Sequence, residues 1–122
     1  MKRLRRSPFE VFAVAAAVAA SLAISISFYA ARADFEKGRV LASELSAIRS
    51  SVLAYIAVRG ATPDALADLF RSGYETGGEQ RPFLHPQGML EDGGLVDPFG
   101  NPYLYRRESG WVFSSTPGYE RW

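Results

Sequence analysis

The chain has no cysteine, which excludes disulfides, thiolate metal centres and a cysteine nucleophile. Its single histidine, His85, lies between Leu84 and Pro86. No motif joins it to Ser114 or Ser115 and a carboxylate as a hydrolytic triad would require, so it reads as a surface or partly packed side chain. A phosphate-cradling glycine loop ahead of a helix is missing, as is any metal-ligand spacing; Gly77-Gly78 and Gly93-Gly94 read as turns. There is no basic stripe either. Residues 34–122 hold nine Lys or Arg against twelve Asp or Glu, net −3, so the overall charge of +1 comes from the N-terminal residues and no nucleic-acid partner is implied. Proline is absent between Pro8 and Pro63, so nothing in that span forces a helix to break.

What the chain does have is an uncharged run of 21 residues, Val11 to Ala31. At ~1.5 Å of rise per residue this gives roughly 31 Å of helix, the thickness of a bilayer core. Lys2, Arg3, Arg5 and Arg6 precede it, which by the positive-inside rule places the N-terminus in the cytoplasm. The expected organisation is a basic cytoplasmic leader (1–10), a transmembrane helix (11–31) and a domain on the far side (32–122). A cleaved secretory signal is the competing reading, because Ala31-Arg32-Ala33 is an A-x-A pattern that would release the chain at Asp34. The run is longer than the usual h-region of ~7–15 residues, which fits a retained anchor better.

Beyond Ala33, apolar residues recur at Leu41, Leu45, Ile48, Val52 and Tyr55, with Val40 and Ile56 beside them. Steps of four and three mark one face of an amphipathic helix. Glu36, Lys37, Arg39, Glu44, Arg49 and Ser50 take the other faces, and Gly38 is the one weak point. A single helix is expected to run from the membrane segment to about residue 59, with Gly60 as its left-handed terminator. Thr62-Pro63-Asp64 suggests the cap, first residue and first-turn acid of a short helix over 63–71, with Leu66, Leu69 and Phe70 on its apolar face. Residues 72–94, rich in glycine, read as an irregular loop tacked to the core by Phe83, Leu84, Met89 and Leu90.

The C-terminal part, 95–116, reads as a small antiparallel sheet. Tyr103 to Arg106 and Trp111 to Ser114 flank Arg107-Glu108-Ser109-Gly110, which suits a hairpin. An isolated hairpin is marginal in water, so it must lie on the Leu41 to Tyr55 stripe. The fold class is therefore α+β, a long N-terminal helix packed on a small C-terminal antiparallel sheet. Tyr103, Tyr105, Trp111, Phe113, Tyr119 and Trp122 crowd the end of the chain; most are expected in the core, with Trp122 exposed or meeting a partner. Ahead of the hairpin, DPFGNPYLYR holds Asp97, Pro98, Phe99, Gly100, Asn101, Pro102, Tyr103, Tyr105 and Arg106. Pro98 presets one backbone angle, Gly100 or Asn101 can take a positive φ, and Asp97 can accept a backbone N–H two residues on.

This combination of basic leader, apolar helix continuing amphipathically, and the segment LVDPFGNPYLYR resembles the type IV pilin-like proteins, specifically the major pseudopilins of type II secretion systems. Their corresponding stretch has tryptophan where Phe99 stands. The resemblance implies a pilin-like fold and a non-enzymatic structural subunit of a type II secretion pseudopilus or related filament, assembled through its N-terminal helix. Implied partners are copies of itself or other pilin-like subunits, the inner-membrane assembly machinery and the membrane. The implied location is the bacterial inner membrane, single-pass, with a periplasmic C-terminal domain. Glu10 and Phe9 are the candidates for the family's assembly residues, although they are adjacent where the family has its glutamate five residues into a mature chain that begins with phenylalanine, and Ser7-Pro8 supplies no glycine for the family's cleavage. Family members commonly bind calcium in a C-terminal acidic loop; here Glu120 is the only carboxylate from Ser114 to Trp122, so no cofactor or metal ligand is assigned. The alternative is a membrane-anchored or secreted periplasmic accessory domain that shares the fold and never polymerises.

Overall fold

The computed structural model describes residues 7–122. The basic cluster Lys2, Arg3, Arg5 and Arg6 lies outside the described residues. One helix, α1 (Pro8–Arg59), spans 52 residues, and the chain divides into two compact units at Glu36 and Lys37.

In the first unit α1 begins at a capping box, a device that the motif Ser7-Pro8-Phe9-Glu10 spells out. Glu10 N donates to Ser7 Oγ at 3.2 Å, and Ser7 N donates to Glu10 Oε2 at 3.2 Å. Two N–H groups that a helix start leaves orphaned are thereby satisfied, and Pro8 occupies the first helical position, where no N–H is needed. The helix carries an 18-residue window of mean hydropathy 2.3 with none of it buried, long and apolar enough to cross a membrane. Ser21, Ser25 and Ser27 turn their hydroxyls back to the carbonyls of Ala17, Ser21 and Ala23 at 2.9 Å, so each hydroxyl in this apolar run has its donor paired within the helix.

The second unit holds the core. Leu41, Leu45, Ile48 and Val52 are all at most 2% exposed, and they pack with Leu69, Phe83, Leu84, Met89, Leu95, Tyr103 and Val112. Val40, beside the stripe, is exposed. Gly60 closes α1 at φ +77°, its N–H on the Ile56 carbonyl at 2.8 Å. The short helix starts later than the 63–71 expected: α2 is only Asp68–Arg71. Thr62-Pro63-Asp64 does not cap it. Instead Asp68 Oδ2 reaches back to accept the N–H groups of Asp64 and Ala65, both at 3.1 Å, and this side-chain turn competes with helix over 62–67.

The 72–94 segment is also more ordered than an irregular loop. It contains β1 (Gly73–Thr76) paired antiparallel with β2 (Glu79–Pro82). Then β3 (Leu90–Glu91) pairs with β4 (Gly94–Leu95). Gly77 and Gly78 at φ +60° and +81°, and Asp92 and Gly93 at φ +50° and +78°, give each hairpin the two-residue turn whose twist matches its strands. Phe83, Leu84 and Met89 are buried as expected, whereas Leu90 is 46% exposed although its cross-strand partner Leu95 is buried. The expected C-terminal hairpin is β5 (Tyr103–Arg106) with β6 (Trp111–Ser114). The three hairpins are separate two-stranded sheets rather than one. The architecture is a long N-terminal helix followed by small antiparallel sheets, an α+β fold.

Candidate functional site

DPFGNPYLYR folds as a corner organised by one buried carboxylate. Asp97 is 4% exposed. Its Oδ1 accepts the backbone N–H groups of Phe99 and Asn101, each at 3.0 Å. Its Oδ2 accepts the Ser114 hydroxyl at 3.1 Å and the Thr116 hydroxyl. A carboxylate has about four lone-pair sites, and these four donors use them all. Gly100 N donates to the Asp97 carbonyl at 2.9 Å, closing a turn with aspartate first, proline second and glycine fourth, the composition such a turn favours. Gly100 at φ +83° reverses the chain, Asp97 N meets the Asn101 carbonyl at 2.8 Å, and Asn101 Nδ2 donates to Thr116 Oγ1 at 2.9 Å. Val96 bridges Pro102, and the backbone enters β5. With Ser114 wholly buried and tied to Asp97, its hydroxyl is committed to structure. His85 is exposed.

The corner delivers two tyrosines inward. Tyr103 OH donates to Glu44 Oε2 at 2.6 Å, and Tyr105 OH donates to the Pro63 carbonyl at 2.7 Å. Burial chiefly, and the Glu44 carboxylate after it, push the Tyr103 hydroxyl's pKa far up. Burial raises the Glu44 carboxyl above its ordinary value, opposed by the Tyr103 bond and reinforced by the negative charge of Asp97. Periodicity placed Glu44 and Arg49 on the solvent faces of α1, yet both reach the hairpin. Arg49 donates through Nε and Nη2 to the Val112 carbonyl at 3.0 and 2.8 Å and through Nη2 to the Trp122 carbonyl. Its guanidinium lies 4.1 Å from the Trp111 ring centre, within cation–π range. A long polar side chain at the border of an apolar stripe can extend along it to a partner; the carbonyls it finds are not visible in a periodicity.

The remaining aromatics divide. Phe99 packs on Tyr119 with ring centres 5.3 Å apart, and Tyr119 meets Trp122 at 4.8 Å. Trp122 is 49% exposed, as expected, but Trp111 is 51% exposed and not in the core. Strand alternation explains this. In the β5–β6 register Leu104 faces Phe113 and Arg106 faces Trp111, and these four occupy the side opposite Tyr103, Tyr105, Val112 and Ser114.

The assembly candidates Phe9 and Glu10 sit at the start of α1. Phe9 is 78% exposed, and Glu10 is engaged in the capping box. Among the described residues no cluster of three or more His, Asp or Glu is placed to hold a metal ion. Comparison with models of known families, with curated proteins and with solved structures finds no match to this chain.

Proposed function

We propose that this chain is a pilin-like structural subunit of the bacterial inner membrane, of the pseudopilin kind that builds a type II secretion pseudopilus or a related filament, with its C-terminal domain on the periplasmic side. The observation that carries this reading is the 52-residue α1, whose apolar 18-residue window is 0% buried. An uncovered helix of that kind calls for lipid or other helices, and Ala15, Ala16, Ala19, Ala20 and Ala23 along it allow close backbone approach. The corner from Asp97 to Pro102 supports the reading a second way, since the residues that carry the resemblance act together as one structural unit.

The mechanism is assembly: α1 packs against the helices of neighbouring subunits while the hairpin domain coats the outside. Cysteine introduced at Ala16 in the full-length chain should give disulfide-linked multimers in membranes. Mass spectrometry of the mature N-terminus accompanies it. A chain beginning at Asp34, or no cross-linking along α1, overturns the filament reading. One observation favours the second reading, an anchored accessory domain that never polymerises: Glu10, the residue matched to the family's assembly glutamate, has its carboxylate occupied by its own capping box. That reading expects an intact leader and monomers.

A further inference from the structure

We propose that the outer face of the β5–β6 hairpin is a docking site for a second copy of this chain, which it grips by the acidic tip of the β3–β4 hairpin. The proposal rests on the assembly reading and names the contact between the hairpin domains.

The receiving surface is a cleft of about 170 Å³ lined by Arg106, Trp111, Phe113, Glu120, Arg121 and Trp122. Alternation in β5 and β6 leaves Arg106, Trp111 and Phe113 on the solvent side. Among the described residues neither Arg106 nor Arg121 forms an ion pair. The one acid in the cleft, Glu120, turns its Oε2 to the backbone N–H of Gly118 at 2.8 Å. Arg106 is held over the Phe113 ring with its guanidinium carbon 5.4 Å from the ring centre, so its fork is braced. A cationic cleft with aromatic walls suits a carboxylate beside an apolar group, because guanidinium pairs with carboxylate in a fixed fork geometry and the rings exclude water from the pair.

The same molecule carries that chemistry at the β3–β4 turn. Glu91 and Asp92 are exposed, Leu90 beside them is 46% exposed, and neither acid is ion-paired among the described residues. The positive φ of Asp92 and Gly93 and the two-residue register make the tip narrow and preformed, which lowers the ordering cost of docking. One copy does not fill its own cleft. The base of the tip, Gly93 and Gly94, lines a groove with Tyr103 and Tyr105, whereas the cleft is on the Arg106 and Phe113 side of the same strands. Tip and cleft therefore face opposite sides of β5–β6, and the contact is head-to-tail, the kind that propagates into an open array.

The lack of native cysteine makes the test direct. In the full-length chain in membranes, Asp92→Cys with Arg121→Cys should give a ladder of disulfide-linked multimers. A control pair, Glu75→Cys with Arg121→Cys, should not. Adding Arg106→Glu to the first pair should lower the yield about tenfold or more, since like charges facing each other across an interface cost several kcal/mol. Glu91→Lys should restore it. A yield no higher than the control's, or no restoration by the charge swap, overturns the proposal. Cross-linking at Ala16→Cys is read alongside: if it persists while tip and cleft do not link, this contact falls and the assembly reading stands; if both are lost, both fall.

Discussion

Asp97→Ala is the perturbation that tests the corner most sharply. It removes a buried carboxylate and strands four donors: the N–H groups of Phe99 and Asn101 and the hydroxyls of Ser114 and Thr116. Hydrogen bonds to a charged group contribute about 1.5–3 kcal/mol each, and an orphaned buried donor costs about 1–3 kcal/mol. These do not add, because losing the carboxylate also removes its own desolvation and the two hydroxyls can turn toward other acceptors. Breaking a buried charged constellation by deleting one member typically costs about 3–5 kcal/mol. For a domain of this size each kcal/mol is worth about 4–8 °C of Tm, so a loss of at least roughly 12 °C is expected. Asp97→Asn keeps the shape and one acceptor oxygen, and should cost about 1–2 kcal/mol. The assay is thermal unfolding of the full-length chain in detergent, followed by near-ultraviolet circular dichroism, to which both tryptophans and every tyrosine but Tyr29 contribute from the second unit. Ser109→Ala, on an exposed loop, is the control. If Asp97→Ala melts within about 4 °C of the parent, roughly 1 kcal/mol at this size, the carboxylate does not organise the corner and the reasoning fails.

Other perturbations separate backbone, electrostatic and packing effects. At Gly73 an added Cβ would lie 2.5 Å from the Arg81 carbonyl oxygen of the paired strand, so Gly73→Ala should cost about 1–3 kcal/mol in chemical denaturation; a neutral result would mean the β1–β2 pairing gives way freely. Gly100→Val puts a β-branched residue at φ +83°, and should cost at least about 1–2 kcal/mol and lower incorporation into multimers in parallel. Glu44, with its folded pKa raised by burial, holds its proton more tightly folded than unfolded. Its contribution therefore favours folding at low pH and is lost as pH rises from the ordinary carboxyl value through the raised one; Glu44→Gln should flatten that part of a stability–pH curve, and an unchanged slope would assign it to another group. Ile48→Ala, at a side chain with no exposed surface, should cost about 2–5 kcal/mol, measured by the same denaturation.

Some of this was legible in the sequence for identifiable reasons. The stripe of Leu41, Leu45, Ile48 and Val52 repeats at the helical period, and all four are buried. Gly60 ends α1 as its position suggested, and Asp97 accepts the N–H two residues on. The β1–β2 and β3–β4 hairpins were missed although Gly77-Gly78 and Asp92-Gly93 are hairpin turn pairs. The strands beside them, GYET and EQRP, are polar and mostly exposed, so no alternation announced them. The capping box is likewise spelled out in Ser7 and Glu10, the same glutamate to which the pilin-like resemblance gives an assembly role. Thr62 misled because a side chain downstream, Asp68, satisfies the N–H groups that a helix start would have used. Arg49 and Glu44 depended on long-range partners that no local window contains. Whether the outer hairpin face meets another chain is a property of two molecules, and the sequence of one shows only the chemistry each side offers.

The corner also bears on the order in which the domain acquires its shape. The Ser114 bond to Asp97 spans 17 residues, whereas Tyr103 to Glu44 spans 59 and Arg49 to Val112 spans 63. By loop-closure entropy alone the two longer links cost about 1 kcal/mol more to form than the shorter one, and contacts close in sequence form soonest. As the chain leaves the ribosome, Leu41 to Val52 emerge before every residue that covers them, from Leu69 through Leu95 to Tyr103 and Val112, so part of that apolar face waits for the C-terminal hairpin. The Asp97–Ser114 link lies wholly within the last part of that cover, so its closure does not depend on the longer links. Slowing that closure would lengthen the time in which this part of the stripe stays open to aggregation or proteolysis before the native state is reached.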